Sequence, residues 1–571
     1  MVKAFENVAR SAGLLFPVFS MRRSGDLGIG DTSTVKLCLD WLAKHKVGFL
    51  QLLPINVSGM DNSPYAAISS VALDFIYVDV SRIPEIGQDD IEDLLDEFGR
   101  KWLESDRVDY HTVKLVKGRL LRKAYQRYVA NGDEDPEFTH FCKQEKDWLQ
   151  PYCRYRWLME EANCEEDWTR WPEEFNTAEK ALAYEKKKQK LTDGGPEGVQ
   201  LYYAWVQWHA FKQWWEVRDY ADDLGIKLMG DIPIGVSCAS ADVFFEQQWF
   251  DLDWFGGAPP EKVFKDDPFA CKWGQNWGVP LYNWDKLQKD KYSWWCRRIE
   301  KLTDVFHIFR IDHILGFYRI YAFPWHPKRN AEFLPLSEAE AKALTGGRLP
   351  QFMPRPDDTM KHKAQNLMDG DRYLKAVLKA ADGYEVVGED LGCVPDYVRP
   401  HLEELGVAGF KICHWETDQA GRAQPPESHH ECSFATYTTH DHPPIKGIWE
   451  ELRKNVADGC TGSGDGLRIL CEYAGMPVMK NAKDYGPFDN VLKWELLEAL
   501  LKSNARYACM MYTDLLGSDV RINTPATVGD HNWTCRAEWL LDDVPDEVER
   551  EASKLAVYID MYHRNVYQRV K

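Results

Sequence analysis

Hydrophobic and polar positions fall into a recurring pattern along the chain. Short apolar runs at residues 13–19, 49–53, 227–232, 306–311, 384–388, 409–412, 434–438 and 507–512 each end in a turn crowded with reactive side chains. Several follow a segment with apolar residues at helical spacing, as in VQLYYAWVQWHAFKQWWEVRDYADDLG ahead of KLMGDIPIG. Apolar runs of strand length alternating with amphipathic helices predict a parallel sheet with crossover helices. Eight such strands predict an α/β fold, a (β/α)8 TIM barrel with helical and loop insertions between barrel strands. An open sheet of this kind is expected to carry a glycine-rich phosphate turn, and the sequence has neither GxGxxG nor a P-loop.

The runs are unevenly spaced. Residues 1–80 hold the first two strands, and residues 81–198 form a charged stretch of helical periodicity, typified by HTVKLVKGRLLRKAYQRY. That stretch predicts a helical insertion before the third strand, with residues 199–571 supplying the rest of the barrel. Within them, 245–284 and 321–370 are rich in Trp, Pro and Gly and predict loop subdomains over the barrel mouth, where barrels place their binding machinery. The tract AYEKKKQKLTDGG reads as a solvated helix end and loop.

Composition narrows the function. The 571 residues are 44% hydrophobic and 28% charged, ordinary for a folded protein. A net charge of -20 repels phosphate backbones and anionic lipid, so nucleic-acid and membrane partners are disfavoured, while a neutral substrate is indifferent to it. The 23 Trp and 26 Tyr offer flat apolar faces suited to sugars, though a large barrel also needs bulky core residues. The 14 cysteines are scattered without a CxxC pair. With no secretory signal pattern and no apolar stretch of membrane-spanning length, they predict reduced thiols in a cytoplasmic protein.

Three turns carry candidate chemistry. In VFHIFRIDHILGFYR, strand alternation puts Arg310 and Asp312 on one face, so the guanidinium is expected to keep Asp312 ionised, as a nucleophile requires. An Arg–Asp pair closing a strand end fits this segment equally well. In GYEVVGEDLG, Glu389 follows a compact apolar run whose desolvation would raise its pKa and let it hold a proton, while Asp390 points away and anchors the next turn. In FATYTTHDHPPIKG, His440 and Asp441 follow another strand; they could also be a metal pair, but no HExxH or clustered His spacing supports one. Acids ending separate strands of one barrel converge at its top face. A charged nucleophile, a protonated acid and a third carboxylate suit retaining glycoside chemistry.

Over nearly its whole length the sequence resembles glycoside hydrolase family 77, the amylomaltases or disproportionating enzymes. The matching segments, in family order, are GLLFPVFSMRRSGDLGIGD, QLLPINVSGMDNSPYAAISS, MGDIPIGVSCASADV, GGAPPEKV, WGQNWGVPLYNW, RIDH, GEDLG, THD and RINTPATVGDHNWTCR. The resemblance implies Asp312 as nucleophile, Glu389 as acid/base and Asp441 as transition-state stabiliser. It further implies that Arg310 orients the nucleophile, His440 contacts the sugar at the cleaved linkage, Tyr65 stacks there, and Asp231, Gln275 and Trp277 line the donor side. Four departures stand out: Glu261 in place of Asp after Pro-Pro, His442-Pro443-Pro444 after His-Asp, Ala526 for Gly, and YAFPWHPKRNAEFLPL without the usual Gly-x-Trp pattern.

The implied activity is transfer of α-1,4-glucan segments from a maltodextrin donor to a glucan or glucose acceptor, needing no metal or organic cofactor. Maltose, maltodextrins, amylose and glycogen are the implied partners. An α-amylase-type hydrolase would use the same carboxylates, and a silent glucan-binding protein would require all three acids to be relics.

Overall fold

The computed structural model describes residues 10–59, 61–132, 135–190, 195–262 and 267–564. In chain order the strands are β1 (Ser11–Leu15), β2 (Phe49–Gln51), β3 (Lys227–Ile232), β4 (Phe250–Ala258), β5 (Gln275–Tyr282), β6 (Ile308–Ile311), β7 (Ile320–Phe323), β8 (Gln351–Met353), β9 (Glu385–Gly388), β10 (Ala408–Ile412), β11 (Ser433–Thr436) and β12 (Tyr507–Met511). Eight of them close into an all-parallel barrel with the ring order β1-β12-β11-β10-β9-β6-β3-β2. Each barrel strand overlaps one of the eight apolar runs. The first run outlasts β1 because Pro17, without an N–H, leads into a short 3-10 turn at Val18–Ser20.

The barrel interior is packed with rings. Phe410 stacks on Phe434 at 4.6 Å, and Tyr507 meets Phe49 edge-on at 5.8 Å. Gly13 on β1 lies directly beneath the Phe49 ring, where a Cβ would come within 2.1 Å of ring carbons. Lower in the barrel, Glu385 accepts hydrogen bonds from Lys227 and Tyr507, tying β9 to β3 and β12.

Between β2 and β3 the chain runs through a cluster of helices ending in Pro196–Leu224. This last helix starts with proline at its first turn and stops at Gly225, whose φ of +71° suits a residue without a Cβ. Its buried Gln207 and Gln213 each exchange two hydrogen bonds with the loop after β2, at the backbones of Leu73 and Asp79. They fix the loop that carries Tyr65 toward the barrel mouth.

The Trp-, Pro- and Gly-rich segments are more ordered than the loop subdomains read from sequence. Together they form one antiparallel sheet of order β5-β4-β7-β8, with its own small core of Phe269, Trp273, Phe323, Trp325, Phe333 and Ala341. Trp325 lies flat on Phe333, with ring centroids 3.9 Å apart. Register shifts in the β4–β5 ladder, beside Gly256 and Gly257, break the alternation that would have marked these strands. Met60, the end of GGAPPEKV at Val263 and residues 191–194 of the Lys-rich tract lie outside the described residues. No helix among the described residues is long and apolar enough to cross a membrane.

Candidate active site

The register between β6 and β9 sets the centre of the site. Ile311 pairs with Gly388, so the next residues on the two parallel strands, Asp312 and Glu389, stand opposite each other. The ladder continues past the assigned strands, since Glu389 N–H donates to Ile311 O at 2.9 Å and Asp312 N–H to Ile232 O at 2.9 Å. Neighbouring strands lie about 4.8 Å apart, close to the carboxyl separation of about 5–5.5 Å found in retaining glycosidases. Directly after Asp312, His313 takes a left-handed conformation with φ of 48°. That turn aims its N–H at Glu389, whose Oε2 accepts it at 2.8 Å, while Oε1 accepts from Leu391 N–H at 3.2 Å. A non-glycine residue held at positive φ beside a reacting group is strain that the surrounding contacts must over-determine.

Arg310 is buried beneath the pair. One of its terminal nitrogens donates to both oxygens of Asp231, at 2.8 and 2.6 Å, and the other sits 2.9 Å from Asp312 Oδ1. Its charge is thus divided between two carboxylates. Arg310 favours the ionised form of Asp312, as the sequence reading expects, but burial outweighs it and pushes the carboxyl up to about 7, with Asp231 and Asp441 reinforcing the rise. Burial likewise pushes Glu389 up to about 8, opposed by Arg310 and reinforced by Asp312. The two groups titrate as a pair. Asp312 keeps the direct ion pair with Arg310, so Glu389 is the more favoured seat for a shared proton.

Asp441 belongs to the loop after β11, clamped at both ends by Asp514. The Asp514 oxygens accept from Thr438 Oγ1 at 2.7 Å and Ile445 N–H at 2.8 Å. Asn523 donates to Asp441 Oδ1 at 2.6 Å, and Arg521 donates to its backbone carbonyl. Burial pushes the Asp441 carboxyl up, but nearby His440 and the Asn523 hydrogen bond outweigh it and hold it below its usual range. Burial lowers the pKa of His440, opposed by Asp441, and its ring stacks against Tyr65 with centroids 5.3 Å apart and ring planes at 18°.

These groups surround a cavity of about 490 Å³ lined by Tyr65, Gln275, Trp277, Arg310, Asp312, Glu389, His440 and Asp441. Asp231 is not in its wall. Its side chain is fully buried, its oxygens taken by Arg310 and by Tyr65 Oη at 2.7 Å. It braces the two residues above it rather than lining the donor side. Glu261, from the donor-side departure, is exposed. Asp390 turns away from the cavity and accepts from Phe410 N–H and Arg399, joining the β9 turn to β10.

Reasoning from sequence missed several wall residues. Asn523 and Trp533 come from the segment after β12, and Trp415 from the turn after β10. Among the described residues Trp277 and Trp415, at 40% and 49% exposure, are the exposed tryptophans, and both stand at this cavity. A tryptophan three residues beyond a barrel strand is the signal that could have found Trp415. A larger open groove of about 1120 Å³ among the insertion helices holds Arg122 and Glu160 in an ion pair but no matching set of strand-end acids.

Residues 16–542 match the 4-alpha-glucanotransferase family, glycoside hydrolase family 77. The chain belongs to this family. A 4-alpha-glucanotransferase of Chlamydia caviae is 28% identical over 541 residues, covering 93% of this chain and 91% of that protein. A 4-alpha-glucanotransferase of Oryza sativa is 33% identical over 330 residues, which is 56% of this chain and 33% of that protein. An amylomaltase from Streptococcus agalactiae, solved in complex with acarbose, shares the fold with a TM-score of 0.75 at 24% identity, covering 97% of this chain and 99% of that one. The family's activity is the transfer of α-glucan segments.

Proposed function

We propose that this enzyme cleaves α-1,4-glucans and passes the severed segment to the 4-hydroxyl of another glucan or of glucose by retaining double displacement. Asp312 attacks the anomeric carbon while Glu389 gives its proton to the departing oxygen, leaving a glucosyl ester. Glu389, now ionised, takes the proton from the incoming 4-hydroxyl as the ester opens, which restores an α-linkage. Asp441, held ionised by Asn523 and His440, stabilises the oxocarbenium-like ring. Tyr65 and His440 present the aromatic floor, Arg310 orients Asp312, and Gln275 and Trp277 contact the donor.

The observation that carries this reading is the β6–β9 register, which sets Asp312 opposite Glu389 with both carboxyls raised and one more readily protonated. Hydrolysis differs only in what opens the ester, and transfer wins when a well-positioned acceptor outcompetes water. Maltose, maltodextrins, amylose and glycogen are the substrates that fit, and 14 cysteines scattered without a CxxC pair suit the reducing cytoplasm. Incubation with maltotriose is the test: glucose and longer oligosaccharides should form without a net rise in reducing ends, and D312N should abolish both. A steady rise in reducing ends would instead identify a hydrolase.

A further inference from the structure

His442-Pro443-Pro444 follows directly after Asp441. Two consecutive prolines lack N–H groups, so the backbone there offers a ligand no donor. The helix Ile445–Ala457 starts immediately afterwards. His442 is itself half-buried in the cavity wall. Its Nδ1 accepts the Thr439 N–H at 3.1 Å and lies 2.8 Å from Thr439 Oγ1. A backbone amide can only donate, so Nδ1 carries no proton and the neutral ring must carry it on Nε2. Among the described residues no protein atom accepts that Nε2–H.

The His442 ring also meets Trp415 edge to face, with centroids 5.3 Å apart and planes at 81°. Trp415 follows β10, and β10 is the neighbour of β9 on the side away from β6. Seen from Asp312, Trp415 therefore lies beyond Glu389. Trp277 lies on the other side, touching His313 after β6 at 5.0 Å. The group that protonates the departing oxygen faces the departing sugar, so the side beyond Glu389 receives the leaving chain and then the acceptor.

We propose that His442 is an acceptor-specificity residue, its Nε2–H donating to a ring hydroxyl of the acceptor glucose while Trp415 supports that sugar's apolar face. This rests on the transferase reading given above.

α-Maltotriosyl fluoride separates the steps, because its C1–F bond breaks to give fluoride and the Asp312 ester without a departing sugar. The ester then partitions between water and an added acceptor, and both products can be quantified against glucose and its 2-, 3- and 6-deoxy analogues. The wild-type enzyme should transfer to one of the deoxy sugars about fivefold less well than to glucose, the size of one hydrogen bond. H442A should lose about the same factor with glucose and no longer discriminate against that analogue. H442Q, which keeps an N–H donor, should recover part of the discrimination. If H442A kept the wild-type ranking of all four acceptors, or if H442Q behaved as H442A with an unchanged melting temperature, the assignment would be overturned. Fluoride release by the wild type with hydrolysis alone, and no transfer to any acceptor, would instead overturn the transferase reading.

Discussion

Replacing Glu389 with Gln should change the pH dependence of stability in a direction fixed by burial. The carboxyl's value rises from an unfolded 4.5 to about 8 in the fold, mainly because burial penalises its charged form. A carboxyl raised by folding contributes no penalty while protonated in both states. As pH climbs above 4.5 the unfolded state releases its proton first, so stability falls until the folded group ionises near 8 and then levels off. At about 1.4 kcal/mol per pKa unit, the full shift sets an upper bound of about 5 kcal/mol. Asp312 shares the titration, so an effect of about 2 kcal/mol is expected. For a chain of this size that is about 2 °C in melting temperature.

Gln cannot titrate, so E389Q should lack this pH-dependent loss. It carries a separate, constant cost. Both Glu389 oxygens accept backbone N–H groups, from His313 and Leu391, and an amide has only one oxygen to offer them. The test is therefore the slope. The melting temperature of E389Q minus that of wild type, measured between pH 5 and 9 in one buffer series, should rise with pH and flatten above about 8. A flat or falling difference would show that burial does not penalise the charged form of Glu389, and the assignment of the proton to it would fail with it. The same variant should lose about 10²- to 10⁴-fold in turnover of maltotriose, the usual yield of general acid catalysis. Its release of fluoride from a glycosyl fluoride, which needs no proton, should fall far less.

The remaining predictions address the groups around this pair. R310K substitutes a point charge for a fork that serves Asp231 and Asp312 together, and should lower kcat by about a hundredfold because bidentate geometry is lost. N523A removes the hydrogen bond that helps keep Asp441 ionised, and steady-state kinetics on maltotriose should show about a tenfold fall in kcat, as for loss of a bond to a charged group. G13A places a methyl inside the Phe49 ring contact and should cost about 1–3 kcal/mol by denaturant titration through overpacking, with kcat at 25 °C unchanged.

What was legible in the sequence follows from how barrels are built. A strand buried on both faces is mainly apolar, so all eight barrel strands show as runs, and a top-face residue must come just after one. Asp312, Glu389 and Asp441 follow β6, β9 and β11 closely, and this is why they could be read. The four-stranded sheet was hidden because its β4–β5 ladder shifts register beside two glycines, which erases the period of two. Asn523 was hidden for another reason. It lies twelve residues beyond the end of β12, past a short helix, and only the folded segment returns it to Asp441.

The electrostatics of the pair are the more instructive case. Arg310 and Asp312 are two residues apart, and adjacency alone argues for a strong, stabilising pair. The sequence could not show that Asp231, on a neighbouring strand, takes two of the guanidinium's hydrogen bonds from below. Nor could it show that Asp312 shares its burial with Glu389. A single positive charge, shared with Asp231, cannot keep both Asp312 and Glu389 ionised. That shortage is useful to the chemistry, because it leaves one proton on the pair, and the asymmetric contact with Arg310 decides which residue gives it up.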